Sequence, residues 1–222
     1  MTPACRFCRS PLTHTLVDLG LQPLANSNLT AAELAAGTER TYPLHARVCA
    51  SCFLVQVDDP VAADEIFDSG YAYFSSYSAS WVEHARRYSE AMIARFGLGP
   101  DSLVVEVASN DGYLLQHFKA AGVPVLGIEP TANTAQAAID KGVPTEVMFF
   151  NGETGRELAA RGVRADLMAA NNVLAHVPDI GGFVAGFREV LKPEGVLTFE
   201  FPHFLNMLEL VQFDTIYHEH FS

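Results

Sequence analysis

From residue 101 onward, apolar runs of strand length alternate with helical stretches, and this alternation restricts the fold more than any other feature. Ser102 to Ala108 reads as a strand, Tyr113 to Ala121 as a helix, Val123 to Ile128 as a strand, Thr131 to Lys141 as a helix and Thr145 to Phe149 as a short strand. Residues 153–161 follow as a helix, Ala165 to Ala170 as a strand, 180–191 as a helix and Gly195 to Phe201 as a fifth strand. Strands separated by helices of about 10–15 residues need crossover connections, so they pair in parallel with helices on both faces. The expectation is an α/β chain built on a doubly wound parallel sheet.

The residues before this region divide in two. Residues 1–58 hold all four cysteines, with short alternating segments at Leu16-Val17-Asp18-Leu19 and Ala46-Arg47-Val48. They read as a small β-rich module, too small to bury a core unaided. Residues 59–100 read as a helical linker region. One segment begins at Asp64-Glu65-Ile66-Phe67, and an amphipathic helix runs from Ser80 to near Gly97. Residues 101–222 then form the α/β core.

The cysteines fall in two identical spacings, Cys5-x-x-Cys8 and Cys49-x-x-Cys52, with 40 residues between the pairs. Each such turn aims two sulfurs at one point, and a tetrahedron of four thiolates suits zinc. With no open position for water, the zinc is expected to be structural, folding a module that lacks a core of its own. A redox role, or four unrelated buried cysteines, explains the repeated spacing less well.

Composition removes several partners. Lys and Arg total 14 against 26 Asp and Glu, a formal net charge of −12, and no basic run appears. Phosphate-tracking proteins need positive stripes, so nucleic acid is not expected as a partner, nor is an anionic membrane surface. The longest apolar stretches are strand-length rather than ~20 residues, so no helical membrane span is expected. With no signal peptide visible after Met1-Thr2-Pro3, a cytoplasmic location is expected.

The first strand of the core runs Leu103-Val104-Val105-Glu106-Val107-Ala108 into a polar turn, Ser109-Asn110-Asp111-Gly112, and then a helix. A strand, a turn and a helix N-terminus make the usual crevice for an adenosine-bearing ligand in a Rossmann-like sheet. The dinucleotide fingerprint G-x-G-x-x-G is missing, since only Gly112 of this turn is glycine, which counts against a pyrophosphate ligand. S-adenosylmethionine carries no phosphate and needs fewer glycines. Glu129, in Gly127-Ile128-Glu129-Pro130, ends the second strand about 20 residues after the turn, where an acid accepts ribose hydroxyl protons. Glu106 and Asp111 strengthen that reading. Asn171 and Asn172, at the end of the fourth strand, face the same crevice, as ligands or as turn formers.

The last ten residues contain four consecutive titratable side chains, Tyr217-His218-Glu219-His220, able to supply a general base and a donor in one short span. A His-x-His metal site and a plain solvated segment are the other readings. His176 lies just past a strand end, where it is a candidate or an ordinary structural histidine.

Together these residues resemble the S-adenosylmethionine-dependent C-methyltransferases of nucleotide-linked deoxysugars. The resemblance rests on the paired CxxC, on Tyr71-Ala72-Tyr73-Phe74-Ser75-Ser76-Tyr77-Ser78, on Glu106 to Gly112, on Gly127 to Thr131 and, most specifically, on Phe213 to His220. It implies a dTDP-linked 4-keto-deoxysugar as substrate, with methylation of the carbon beside the ketone. His220 would remove the proton there. Tyr217, Glu219 and His176 would orient the sugar and stabilise or reprotonate the enolate, and Tyr71 would contact sugar or cofactor. The cofactor set it implies is Tyr73, Glu106, Ser109, Asn110, Asp111, Gly112, Glu129, Pro130, Asn171 and Asn172. Ala108 and Asn110 stand where many methyltransferases place glycine. Family members also continue for roughly another domain past the position of Ser222, so a fragment or short form is expected. Two other readings stay open: a methyltransferase for a different small acceptor, and a non-catalytic zinc-ribbon interaction protein.

Overall fold

The computed structural model describes residues 3–58, 61–62, 66–67 and 71–222. The chain divides into two compact units. One comprises Met1–Ile66, Leu174–Ile180 and Phe201–Ser222; the other comprises Phe67–Val173 and Gly181–Glu200. These boundaries differ from the three consecutive segments read from the sequence, because residues 174–180 and 201–222 cluster with the cysteine-bearing unit.

In the cysteine-bearing unit, β1 (His14–Pro23), β2 (Thr41–Val48) and β3 (Val55–Val57) form an antiparallel sheet in the order β1-β2-β3. The two alternating segments noticed in the sequence lie in β1 and β2. Helix α1 (Ala31–Ala36) is closed by a reciprocal Thr30–Glu33 capping box and by Gly37 in the left-handed region. Among the described residues, the unit has two small cores. Leu12 packs with Cys5 and Cys49, and Leu44, Ala46 and Val57 pack with Leu16, Val17, Leu19 and Ile216. The second includes a residue from the far end of the chain, as expected for a module that cannot close a core from contiguous sequence.

The second unit is the α/β core. Its strands are β4 (Val104–Val107), β5 (Val125–Ile128), β6 (Thr145–Glu146), β7 (Ala165–Asn171) and β8 (Leu191–Glu200), all parallel in the order β6-β5-β4-β7-β8. Between them run α3 (Leu115–Ala120), α4 (Ala132–Asp140), α5 (Gly152–Ala160) and α6 (Ile180–Val190), with α2 (Ala79–Phe96) preceding β4. A short helix, α7 (Phe204–Glu209), lies in the other unit. Five strands and their helices fall where the apolar periodicity puts them. The third strand is shorter than expected, ending at Glu146, whose carbonyl accepts the Glu129 N–H at 3.0 Å. The helix start expected at Asp64-Glu65 lies outside the described residues.

The sheet is covered on one side by α2 and α3. Val104, Leu114, Leu115, Phe118 and Leu167 form a dry layer against Trp81, Tyr88, Met92 and Ile93. Each fully buried side chain of this size contributes about 1.5–3 kcal/mol. Phe150, Phe183, Phe187 and Phe199 make edge-on and tilted ring contacts in a second layer. There α5 and α6 meet backbone to backbone: a Cβ on Gly155 would lie 2.7 Å from the Gly186 carbonyl oxygen. Strand order reverses between β5-β4 and β7-β8, so the crevice at the carboxyl ends of β4 and β7 is the topological switch point where such sheets bind ligands.

Candidate functional site

The turn after β4 is folded by backbone conformations that usually demand glycine. Ala108, Asn110 and Gly112 have φ of 57°, 48° and 75°, all left-handed. At Gly112 the requirement is also steric, since a Cβ would lie 3.2 Å from Ala138 Cβ and Val143 Cγ2. Asn is among the few residues that tolerate this region; Ala108 occupies it at a cost of about 1–2 kcal/mol. Asn172 (φ 51°), at the end of β7, repeats the device, and its N–H donates to the Glu200 carbonyl at 2.6 Å.

Glu106 is the least exposed acid among the described residues. It is fully buried on the central strand, and neither carboxylate oxygen has a hydrogen-bond partner among the described residues. Burial pushes its pKa well above the carboxylate range. The Tyr113 phenol beside it opposes this without reaching hydrogen-bond geometry, while Glu129 and Asp111 add like charge. A buried acid without a partner costs free energy unless it stays protonated or a cation arrives. Glu129 is 4% exposed and better served. Its Oε2 accepts the Asn110 N–H at 2.8 Å, and its Oε1 accepts the Thr131 N–H at 2.9 Å together with the Thr131 hydroxyl. Burial raises its pKa against these donors. A carboxylate offers about four acceptor sites, so one remains on Oε2 for a hydroxyl group.

Other residues assigned to the cofactor from sequence are engaged differently. Asn110 Oδ1 accepts from the Ser75 N–H at 2.9 Å and its Nδ2 donates to the Tyr73 carbonyl at 3.1 Å. Asp111 takes the Ser76 N–H and hydroxyl on its carboxylate and pairs with Lys141 Nζ at 3.0 Å. Asn133 Nδ2 donates to the Tyr71 carbonyl at 2.8 Å. Three side chains therefore strap residues 71–76 across the carboxyl ends of β4 and β5. The side chains of Asn110 and Asp111 are thus committed to this strap. Ser109 is fully buried with its hydroxyl packed over Gly127. Asn171 Nδ2 reaches the Tyr113 hydroxyl at 3.4 Å. Pro130 is partly exposed, Tyr71 stacks edge-on with Phe67, and the Tyr73 ring is exposed. Trp81, stacked between His84 and Tyr113, and the 2.8 Å His84–Glu200 pair were not anticipated. Trp81 and His84 sit on a helix whose periodicity reads as ordinary packing.

The proton-transfer candidates all lie in the cysteine-bearing unit, and there they meet. The His176 and His220 rings are 4.8 Å apart, and Tyr217 lies 4.1 Å from His220. His220 Nδ1 donates to the Thr215 carbonyl at 2.7 Å, since a carbonyl can only accept, so the lone pair of the neutral ring is on Nε2. His176 Nδ1 donates likewise to the Glu219 carbonyl at 2.9 Å. Burial lowers both pKa values. That of His176 falls to about 4, with His220 adding to the effect. Glu219 is buried, and its Oε1 accepts from Asn26 Nδ2 at 2.8 Å. His218, the remaining member of the run, is buried with Nε2 on the Pro43 carbonyl. Asn26 gave no signal in the sequence, because its partner is 193 residues away.

The four cysteines converge as their spacing requires. All four sulfurs lie within 4.8 Å of one another, with Cys5–Cys52 at 3.6 Å and Cys8–Cys49 at 3.4 Å. Four thiolates around one zinc stand about 3.8 Å apart, so the set fits that ion. Both turns close alike: the Arg9 N–H reaches the Cys5 carbonyl and the Phe53 N–H the Cys49 carbonyl, each at 3.0 Å with a left-handed residue after the second cysteine. The sulfurs also receive donors, from Ser51 N–H to Cys49 and from Gln56 Nε2 to Cys5. Burial opposes ionisation of Cys5, but the N–H groups of Cys8 and Phe7 and the Gln56 amide outweigh it and lower its pKa to about 6.

Two families match this chain. One, described as "Putative zinc binding domain", covers residues 5–67, and another, described as "Methyltransferase domain", covers residues 81–222. The chain belongs to the methyltransferase-domain family. Among relatives, the C-methyltransferase NovU of Streptomyces niveus is 38% identical over 98% of this chain and 51% of its own length. The ubiquinone biosynthesis O-methyltransferase of Rhodopseudomonas palustris strain BisA53 is 25% identical, covering 57% of this chain and 58% of its own. Among solved structures, DesVI of Streptomyces venezuelae is 17% identical with a TM-score of 0.45, over 55% of this chain and 51% of that one. The chain spans about half the length of the curated relatives it matches. Among the described residues, no helix is long and apolar enough to cross a membrane.

Proposed function

We propose that this chain carries the cofactor crevice and the base of an S-adenosylmethionine-dependent C-methyltransferase acting beside the ketone of a dTDP-linked 4-keto-deoxysugar. The observation that carries the reading is His220, held neutral by burial, with its proton committed to the Thr215 carbonyl and a lone pair on Nε2. That is the state a general base needs. Similarity to an enzyme named a C-methyltransferase over nearly the whole chain supports carbon as the nucleophile.

S-adenosylmethionine, when bound, supplies a methyl group that is already activated. The residues for it are Glu106 and Glu129. The unpartnered Glu106 carboxylate suits an ammonium group, and the remaining acceptor site of Glu129 suits a ribose hydroxyl. His220 removes the proton from the carbon beside the ketone. A ketone-flanking carbon is a weak acid, so donors at the developing enolate oxygen must lower the barrier. Tyr217, beside the base, is the candidate donor. Glu219 and His176 hold the sugar; the enolate carbon would take the methyl group as its bond to sulfur breaks, and the proton held by His220 passes to solvent. Tyr71 and Tyr73, on the strap, supply contacts to sugar and cofactor.

The test separates the base step from methyl transfer. In heavy water, the protein with a dTDP-4-keto-deoxysugar should exchange deuterium into the carbon beside the ketone, and His220→Ala should abolish both exchange and labelled methyl transfer. Exchange undiminished in His220→Ala would remove the base assignment. Methylation of an oxygen acceptor with no carbon exchange would replace the substrate class.

A further inference from the structure

Arg6 lies inside the first cysteine turn, between two sulfur ligands, and its contacts run away from the metal. One guanidinium nitrogen donates to the Val57 carbonyl at 2.8 Å and another to the Pro178 carbonyl at 3.2 Å, while its carbon sits 5.3 Å from the centre of the Phe221 ring. Pro178 is two residues past His176, and Phe221 directly follows His220. The Phe221 side chain is buried, and its carbonyl accepts the Val57 N–H at 3.1 Å. The Ser222 N–H closes onto the Ala175 carbonyl at 3.3 Å, tying the two histidine-bearing segments together. On the metal side, the Arg6 N–H donates to Gln56 Oε1 at 2.9 Å, and Gln56 Nε2 donates to the Cys5 sulfur. All of these residues belong to one compact unit.

We propose that Arg6 is a positioning residue that transmits the geometry of the metal knuckle to the proton-transfer pair His176 and His220. The inference rests on the base assignment made above for His220. The physical reason is the fork: a planar guanidinium serves two carbonyls at fixed angles and lies over an aromatic face at once, which an ammonium cannot do. An arginine on a mobile loop would lose much side-chain entropy in doing so. Zinc ligation at Cys5 and Cys8 would remove that freedom in advance by fixing the backbone on either side of Arg6. The zinc unit is thus the frame on which the base is set.

Arg6→Ala and Arg6→Lys test this. Both should keep one zinc per chain, the protection of the β1–β2 amides against hydrogen exchange, and the wild-type Kd for S-adenosylmethionine. Both should raise amide exchange in residues 174–180 and 217–221 at least about ten-fold. With a dTDP-4-keto-deoxysugar, kcat should fall about 10- to 100-fold while the cofactor KM stays unchanged, the signature of a misplaced base. Wild-type protection of 217–221, or an unchanged kcat, in either variant overturns the proposal, as does loosening that spreads equally through β1–β2, which marks a merely structural role. His220→Ala run alongside separates the two readings. If it keeps full turnover, the base assignment fails whatever Arg6 does. If it is dead while the Arg6 variants are normal, only the positioning role falls.

Discussion

His176 and His220 are uncharged at neutral pH because burial disfavours the imidazolium, and the sign of the consequence follows. A base with a lowered pKa stays competent below the usual histidine value, so the acid limb of log kcat against pH should fall below pH 6.5. For stability, the unfolded chain binds the His176 proton near pH 6.5 but the folded chain only near 4. The stabilisation is present above 6.5 and lost as pH falls toward 4, amounting to about 3 kcal/mol. Urea unfolding at pH 7 and pH 4.5 should show this loss, and His176→Gln should flatten it. Glu106 gives the complementary prediction. Burial without a partner favours its protonated form, so a cationic ligand should promote its ionisation, and S-adenosylmethionine binding should release a proton and tighten as pH rises. Calorimetry in two buffers of different ionisation enthalpy measures that proton. Glu106→Gln should remove the release and weaken binding about ten-fold or more, with little change in the stability of the ligand-free protein.

Among the elements, the β4–α3 turn and the strap above it form one device. Ala108 is strained there at φ 57°, so Ala108→Gly should raise stability by about 1 kcal/mol, read as a higher denaturant midpoint at unchanged m. Asn110→Gly makes the opposite case. It relieves the same kind of backbone but deletes the bonds to Ser75 and Tyr73, so residues 71–77 should exchange amide protons faster although the turn itself is relaxed. If both glycine variants behave alike, the strap is not held by Asn110. Asn110 serves the turn twice: it tolerates the left-handed backbone, and its side chain bonds to Ser75 and Tyr73.

For the whole molecule, the two units should answer differently to metal loss. Among the described residues, the cysteine-bearing unit shows two small cores, one of them built on Cys5 and Cys49 themselves. Its folding is therefore coupled to the ion. The α/β unit has a continuous apolar layer with no cysteine in it. Chelation should abolish turnover and the order of residues 174–180 and 201–222, while the affinity for S-adenosylmethionine and most of the helical circular dichroism remain. Loss of cofactor affinity in parallel with zinc would contradict this division.

The five parallel strands, the crevice turn and the four thiolates were legible in the sequence because each is a local matter. Apolar periodicity, a polar turn between strand and helix, and a doubled CxxC spacing are all written within a few residues of where they act. Glu106 was legible as an acid within the first core strand and Glu129 as one ending the second, but not their opposite conditions, the first without a hydrogen-bond partner among the described residues and the second nearly saturated. The first depends on how the Tyr113 phenol is placed, and the second on the Asn110 N–H brought in from the neighbouring strand's turn beside the local Thr131. The use of Asn110 and Asp111 to hold the strap, and of Arg6 and Asn26 to hold the segment around His220, was decided by the tertiary structure alone. Hydrogen bonds between residues as far apart as 193 positions leave no period and no spacing to read. They exist because a unit too small to close its own core recruits the distant segment that holds His220.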